Sequence, residues 1–420
     1  MVTVTGTGNT VMSGAATAAN AVTVAVSGTS LTESISGNYA LVTVTGAADV
    51  LNVDGTGHSI TIASGTGHII NANSNTVSLN SGTQAVLGGN GNSLNLNGAT
   101  ATISGSGNVV NAANSSLTWT SGAPLLSPTM TLTGNGDAIS MTQSYAILSL
   151  NGAGDTVSAV ANDTITLGSN GTNGVLNNVY ASSTTVSVLD NAHVAVTGDS
   201  NHIYAGNADT VAIYGNGNTT TVTGTGSGVA IYGNNDIATI TGTGGNVLLS
   251  GTGSTINVSG EQVIVAGGTT GTINGDNDIV TLSAAAGSTL AINGMNETVS
   301  LGAWGGYFAF NTTNVPDQSE LDLPVASDHL WLQRSGDDLI LENLGTTQAV
   351  TIKDWFDNAI YAVAIKGSDG KEILNYDNFG ELIQAMASFT STHSGFNPQT
   401  TTHTSTAETS YYGTLASSWH

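Results

Sequence analysis

Apolar residues alternate with small polar ones in short bursts along most of the chain, and a stretch of Gly, Asn and Thr closes each burst. Residues 211 to 246 show the pattern most clearly, as two eighteen-residue units laid end to end. The first runs from Val211-Ala-Ile-Tyr-Gly-Asn216 to Gly228 and the second from Val229-Ala-Ile-Tyr-Gly-Asn234 to Asn246, with eleven of eighteen positions identical. Alternation over so few residues is strand periodicity, not helical periodicity. The Gly-Asn-Gly and Gly-Thr-Gly stretches supply residues that tolerate positive φ, as sharp corners require. Two short strands and two corners per unit predict one coil of a parallel β-solenoid, built by stacking copies of one supersecondary unit.

The array extends beyond this pair. A leading apolar position recurs at Val211, Val229, Val247, Val263, Val280 and Val299, so coil length varies by a residue or two. Upstream, Ile60, Ile69, Val77, Val86, Leu94 and Ile103 step by eight or nine residues, half a coil each. Residues 1 to about 310 therefore read as roughly seventeen coils, a rod on the order of 80 Å long at about 4.8 Å per coil. Trp119 to Leu132, with Pro124 and Pro128, interrupts the pattern and reads as a bulged loop. Composition shifts at Asn314-Val-Pro-Asp317, a linker-like stretch. Beyond it, Asp328 to Glu342 predicts a hairpin around Ser-Gly-Asp-Asp, Ala349 to Lys353 a further strand, and Gly380 to Phe389 an amphipathic helix. The expected fold class is all-β, a β-roll or β-helix-like parallel β-solenoid over residues 1–313. A small β-rich domain with one short helix follows over 314–390, then a Thr/Ser-rich tail over 391–420.

Charge narrows the function classes. The chain has four Lys plus Arg, all at or after Arg334, against 28 Asp plus Glu, for a net charge of −24. That balance argues against nucleic acid or an anionic membrane surface as partner. With only 8% charged and 39% hydrophobic residues the chain reads as folded, with a thin core of Val, Ile, Leu and Ala. It has no cysteine, and no apolar run of membrane-spanning length, so neither disulfides nor membrane insertion is expected. The first residues lack the basic start and apolar stretch of a secretory signal peptide, yet the Lys-poor, Gly/Asn/Thr-rich composition looks extracellular.

The C-terminal part resembles the region that follows the repeats in RTX (repeats-in-toxin) proteins. The residues that carry the likeness are Arg334-Ser-Gly-Asp-Asp-Leu339, Val350-Thr-Ile-Lys-Asp-Trp-Phe356, Leu382-Ile-Gln-Ala-Met-Ala387 and the closing Leu415-Ala-Ser-Ser-Trp419. The resemblance implies an uncleaved C-terminal signal read by type I secretion machinery, in the 391–420 tail. It also implies Ca²⁺ as a cofactor, because RTX nonapeptides bind Ca²⁺ through turn Asp residues. Here Gly88-Gly-Asn-Gly-Asn-Ser-Leu94 keeps the frame without an Asp, whereas Gly134-Asn-Gly-Asp137 and Gly152-Ala-Gly-Asp155 keep one. Asp137 and Asp155, eighteen apart, fall on one edge of successive coils, where a shared ion would bridge. Asp276 and Asp278 form a second candidate pair; for both pairs the alternative is an Asx-type turn bonded to its own backbone.

His58 and His68 sit in equivalent Gly-Thr-Gly-His turns half a coil apart, on opposite edges, and read as turn residues. Thr221/Thr223/Thr225 and Thr239/Thr241/Thr243 predict hydroxyl rows that bind ice or carbohydrate, or simply face solvent. Asn216 over Asn234 predicts an amide ladder. Catalysis on sugar acids needs cations to stabilise developing charge, and the repeat region holds no Lys or Arg. No Ser/His/Asp order or metal cluster stands out, so an enzyme is not expected. The chain opens mid-repeat, as Thr3-Val-Thr-Gly-Thr-Gly8 and Val11 match Thr221 to Gly226 and Val229, and an uncapped coil is a template for another chain. The expectation is a secreted, extracellular or cell-surface structural protein that stacks head to tail with itself in a filament, biofilm matrix or surface layer. The alternative is a monomeric adhesin or carbohydrate- or ice-binding rod.

Overall fold

A computed structural model describes residues 1–6, 8–14, 17–120, 127–170, 175–283, 287–305, 307–311, 319–356, 363–373 and 376–400. The predicted linker at Asn314 to Asp317 and the tail beyond residue 400 lie outside the described residues. The fold is a parallel β-solenoid, and the chain divides into two compact units, Met1–Val211 and Ala212–His420.

In the first unit each coil gives one strand to each of two parallel sheets. Thr23–Thr29, Leu41–Ala47, Ser59–Ile62 and Thr76–Leu79 follow one another in the first sheet. Thr32–Asn38, Val50–Asp54 and His68–Asn71 do so in the second. The alternation is that of the sequence: Val24, Val42, Ile60 and Val77 point inward and are buried, while the residues between them face out. Outward-facing residues bond to the coil before (Leu41 N–H to Val22 O, 2.8 Å) and inward-facing or corner residues to the coil after (Ser59 N–H to Ala40 O, 2.9 Å). Strands Val2–Val4 and Thr10–Gly14 each pair on one side only among the described residues, with Thr23–Thr29 and Thr32–Asn38.

Two expectations are corrected here. Ile69 and Val86 are not core residues; they are 38% and 42% exposed, and Ile70 and Leu87 point inward instead. Both strands carry apolar side chains on both faces, so alternation does not fix which set is internal, and a shift of one residue inverts the reading. Trp119 and Met130 to Leu132 are not loop residues either. Trp119, buried completely, lies in strand Ser116–Thr120, and Thr129–Asn135 resumes the first sheet. Pro124 lies outside the described residues.

In the second unit the leading positions stack as the repeat predicts, with Val229 beside Val247, Val263, Val280 and Val299 in successive coils, all buried. The regular coils end at Tyr307–Asn311 and Glu320–Asp322, and the latter pairs onward in parallel with Ala364–Lys366. Ala349–Ile352 pairs with the former in parallel and carries an antiparallel hairpin, Asp338–Asn343 and Leu330–Ser335, on its other side. The helix Tyr376–Thr392 starts four residues before the expected Gly380 and lies on the hairpin's last strand, where Leu332 N–H donates to Met386 Sδ at 3.0 Å. Trp331 against Phe396 (4.5 Å) and Trp355 against Phe379 (5.0 Å) fill the space beneath it. No helix among the described residues is long and apolar enough to cross a membrane.

Candidate functional site

All four predicted metal ligands lie in corners, so the corner is the site to build. Each is four residues long, and in many the first is Gly and the third has positive φ, such as Gly154 (75°), Gly136 (70°) and Asn277 (64°). The first residue must be small where the coil before presses on it. At Gly152 a Cβ would collide with the carbonyl oxygen of Gly134, the same position one coil earlier.

The second and fourth residues fasten successive coils to each other in opposite senses. At the second position, a side chain accepts the amide of the next coil: Asn90 N–H donates to Asn73 Oδ1 (2.8 Å) and Ser106 N–H to Asn90 Oδ1 (2.7 Å). The expected Asn216–Asn234 ladder is of this kind, with Asn234 N–H and Nδ2 both donating to Asn216 Oδ1 (3.0 and 2.9 Å). At the fourth position the side chain turns inward and accepts the amide of the coil before. Asn75 N–H donates to Asn92 Oδ1 (3.1 Å) and Asn92 N–H to Asn108 Oδ1 (2.9 Å). The same Asn residues then donate from Nδ2 to the first-position carbonyl of the coil before: Asn92 to Ala72 O (2.8 Å), Asn108 to Gly89 O (3.1 Å), Asn177 to Gly152 O (3.0 Å). His58 does likewise, its Nδ1 accepting Ala40 N–H (3.0 Å) and its Nε2 3.1 Å from Gly37 O, which assigns the proton to Nε2.

Asp137, Asp155 and Asp278 occupy this fourth position. Asp137 and Asp155 do share one corner column: Ser115 N–H donates to Asp137 Oδ1 (2.7 Å), Asp137 N–H to Asp155 Oδ1 (2.8 Å) and Asp155 N–H to Asn177 Oδ1 (2.9 Å). Glu261 N–H donates to Asp278 Oδ1 (3.0 Å). The second oxygens of all three are buried without a hydrogen-bond partner, as is that of Asp163, whose Oδ1 accepts Ala146 N–H (2.8 Å) in the other sheet's corner. Burial pushes Asp155, Asp163 and Asp278 up to about 6 against the pull of backbone amides, and raises Asp137 in the same direction. Asp276 sits apart from its neighbour at the outer second position, accepting Met295 N–H (2.9 Å).

Ca²⁺ takes six to eight oxygens in typical protein sites. The Asp137/Asp155 corner offers two second oxygens, each first oxygen being held by an amide, and no group of three His, Cys, Asp or Glu side chains that could hold a metal exists among the described residues. The two carboxylates alone fall short of that number. The inter-coil bond of Asp137 and Asp155 also differs from an Asx turn, because the amide accepted belongs to the coil before.

His58 and His68 lie at corners leading into different sheets, both buried, with His68 Nδ1 3.5 Å from Asp49 Oδ2. Thr221 and Thr239 are in register and solvent-facing. One trough, about 630 Å³, opens on the outer face of the second sheet, floored by Ser34, Asn52, Asn71 and Gly88 and flanked by Asp54 and Asn73. The pairing that sequence reasoning missed is the fourth-position donor–acceptor exchange. Its signal was present, as Gly-x-x-(Asn, Asp or His) recurs at many such corners. No protein-family model matches the chain, and no curated protein matches it.

Proposed function

We propose that the protein is a non-catalytic structural β-solenoid that is exported and built into an extracellular matrix, filament or surface layer by association of its own copies. The observation that carries this reading is the stacked parallel solenoid itself, in which successive coils are bonded through both sheets and through the corners between them. A fold built by adding like coils side by side suits association with further copies, and no Lys or Arg precedes Arg334 to guard strand edges.

Export by type I secretion machinery rests on the RTX-like residues of the C-terminal region, whose hairpin and helix form a folded layer around Trp331 and Trp355. The absence of a catalytic role is supported by the composition of the outer faces, where Ser, Thr and Asn dominate.

Sedimentation velocity across a concentration series, with and without Ca²⁺, tests the assembly. The expected outcome is concentration-dependent association of the wild type into an open series, as stacking of copies gives, and a wild type that stays monomeric throughout refutes the proposal. The second reading is a monomeric carbohydrate-binding solenoid, favoured by the polar trough over Asn52 and Asn71. Glycan-array binding abolished by Asn71→Leu would establish it.

A further inference from the structure

The fourth corner position accepts Asn, His and Asp, yet these do not have the same hydrogen-bonding capacity. Asn and neutral His each have one acceptor and one donor, and the corner uses both. The acceptor takes an amide of the coil before; the donor meets that coil's first-position carbonyl, as in Asn92 to Ala72 O, Asn177 to Gly152 O and His58 to Gly37 O. An ionised Asp satisfies the first demand and has nothing for the second. Its Oδ2 lies where Asn carries Nδ2. A Cβ built on Gly152 would stand 2.9 Å from Asp155 Oδ2 while colliding with Gly134 O, so the two oxygens border the same small space. The arrangement repeats at Gly134, between Ala112 O and Asp137 Oδ2 (3.0 Å), and at Gly275, between Val258 O and Asp278 Oδ2 (2.9 Å).

We propose that these corner carboxylates are proton sites: each takes a proton on its second oxygen and donates it to the first-position carbonyl of the preceding coil, so that mild acid tightens the solenoid. A protonated Asp then has the donor and acceptor that Asn has, and fits the slot its neighbours fill with Asn. Among the described residues no Lys or Arg side chain competes for the role. Asp155 faces Asp137 and Asn177, Asp137 faces Ser115 and Asp155, and Asp278 faces Glu261 and Asp276. The chain's four Lys and Arg all come at or after Arg334.

A carboxyl raised above its unfolded value stabilises the fold in acid, and that contribution is lost as pH rises through the folded pKa. For Asp155 and Asp278 the loss runs from about pH 4 to just beyond about pH 6. Thermal melts of the full chain over that window, and up to about pH 8, test the proposal on wild type, Asp155→Asn, Asp278→Asn and the exposed control Asp54→Asn. The wild type should melt several degrees lower at the alkaline end than in acid. Asp155→Asn and Asp278→Asn should melt above wild type at the alkaline end and level with it in acid, whereas Asp54→Asn, which removes the same charge from the surface, should track wild type. Infrared spectra should show a protonated-carboxyl band at about pH 5 that weakens in Asp155→Asn. A wild-type melting temperature that is flat or rises with pH, an Asn variant that is less stable at the alkaline end, or absence of that band overturns the proposal.

Discussion

At the scale of single residues, the corner decides which side chains are tolerated. Gly152 is required less by its own backbone than by the carbonyl of Gly134 pressed against it. Gly152→Ala should therefore lower the melting temperature clearly, at a cost of about 1–3 kcal/mol for overpacking against a fixed backbone. Gly14→Ala, at a position with nothing within 4 Å, should change little. Equal effects from the two substitutions would contradict this account of the corner. The sequence revealed Asp137 and Asp155 as stacked neighbours, because a spacing of eighteen is one coil there. It did not reveal their bonds, since Gly-x-x-Asp reads the same whether its carboxylate accepts an amide of its own turn or of the coil before.

At the scale of elements, strands were legible wherever one face is apolar and the other polar. Val229 to Val299 stack as their spacing predicts, and the hairpin Leu330–Ser335 with Asp338–Asn343 lies where alternation put it. Legibility failed where a strand is apolar on both faces, as at Ile69 and Ile70, and where Pro residues made a strand look broken, as at Trp119. The helix began earlier than expected because Gly380, read as a start, is an exposed position inside it. Its hold on the hairpin runs through Met386, buried against Leu332. Met386→Ala should cost about 2–5 kcal/mol locally and loosen that layer. Trypsin is a selective probe, since its sites at Arg334, Lys353, Lys366 and Lys371 all lie in this region. Faster cleavage there is the expected result; an unchanged rate would mean the helix does not hold the hairpin.

At the scale of the whole molecule, each coil within a unit depends on the next through three sets of bonds: the backbone ladders of the sheets, the outer corner ladder and the inward corner exchange. Composition fits this design. A chain with 55 Gly and only 5% aromatics has a thin core, so inter-coil bonding has more of the work of fixing its structure. Periodicity announced the coil, but the corner exchange became visible only with the coils stacked, because its partners are about one coil apart in sequence. Amide hydrogen exchange resolved at the corners tests this claim most directly. The amides of Asn75, Asn92, Asp137 and Asp155 donate to side chains one coil on, and should exchange as slowly as strand amides such as that of Leu41. Exchange as fast as in open Gly-rich turns would show that the corners do not bind the coils together.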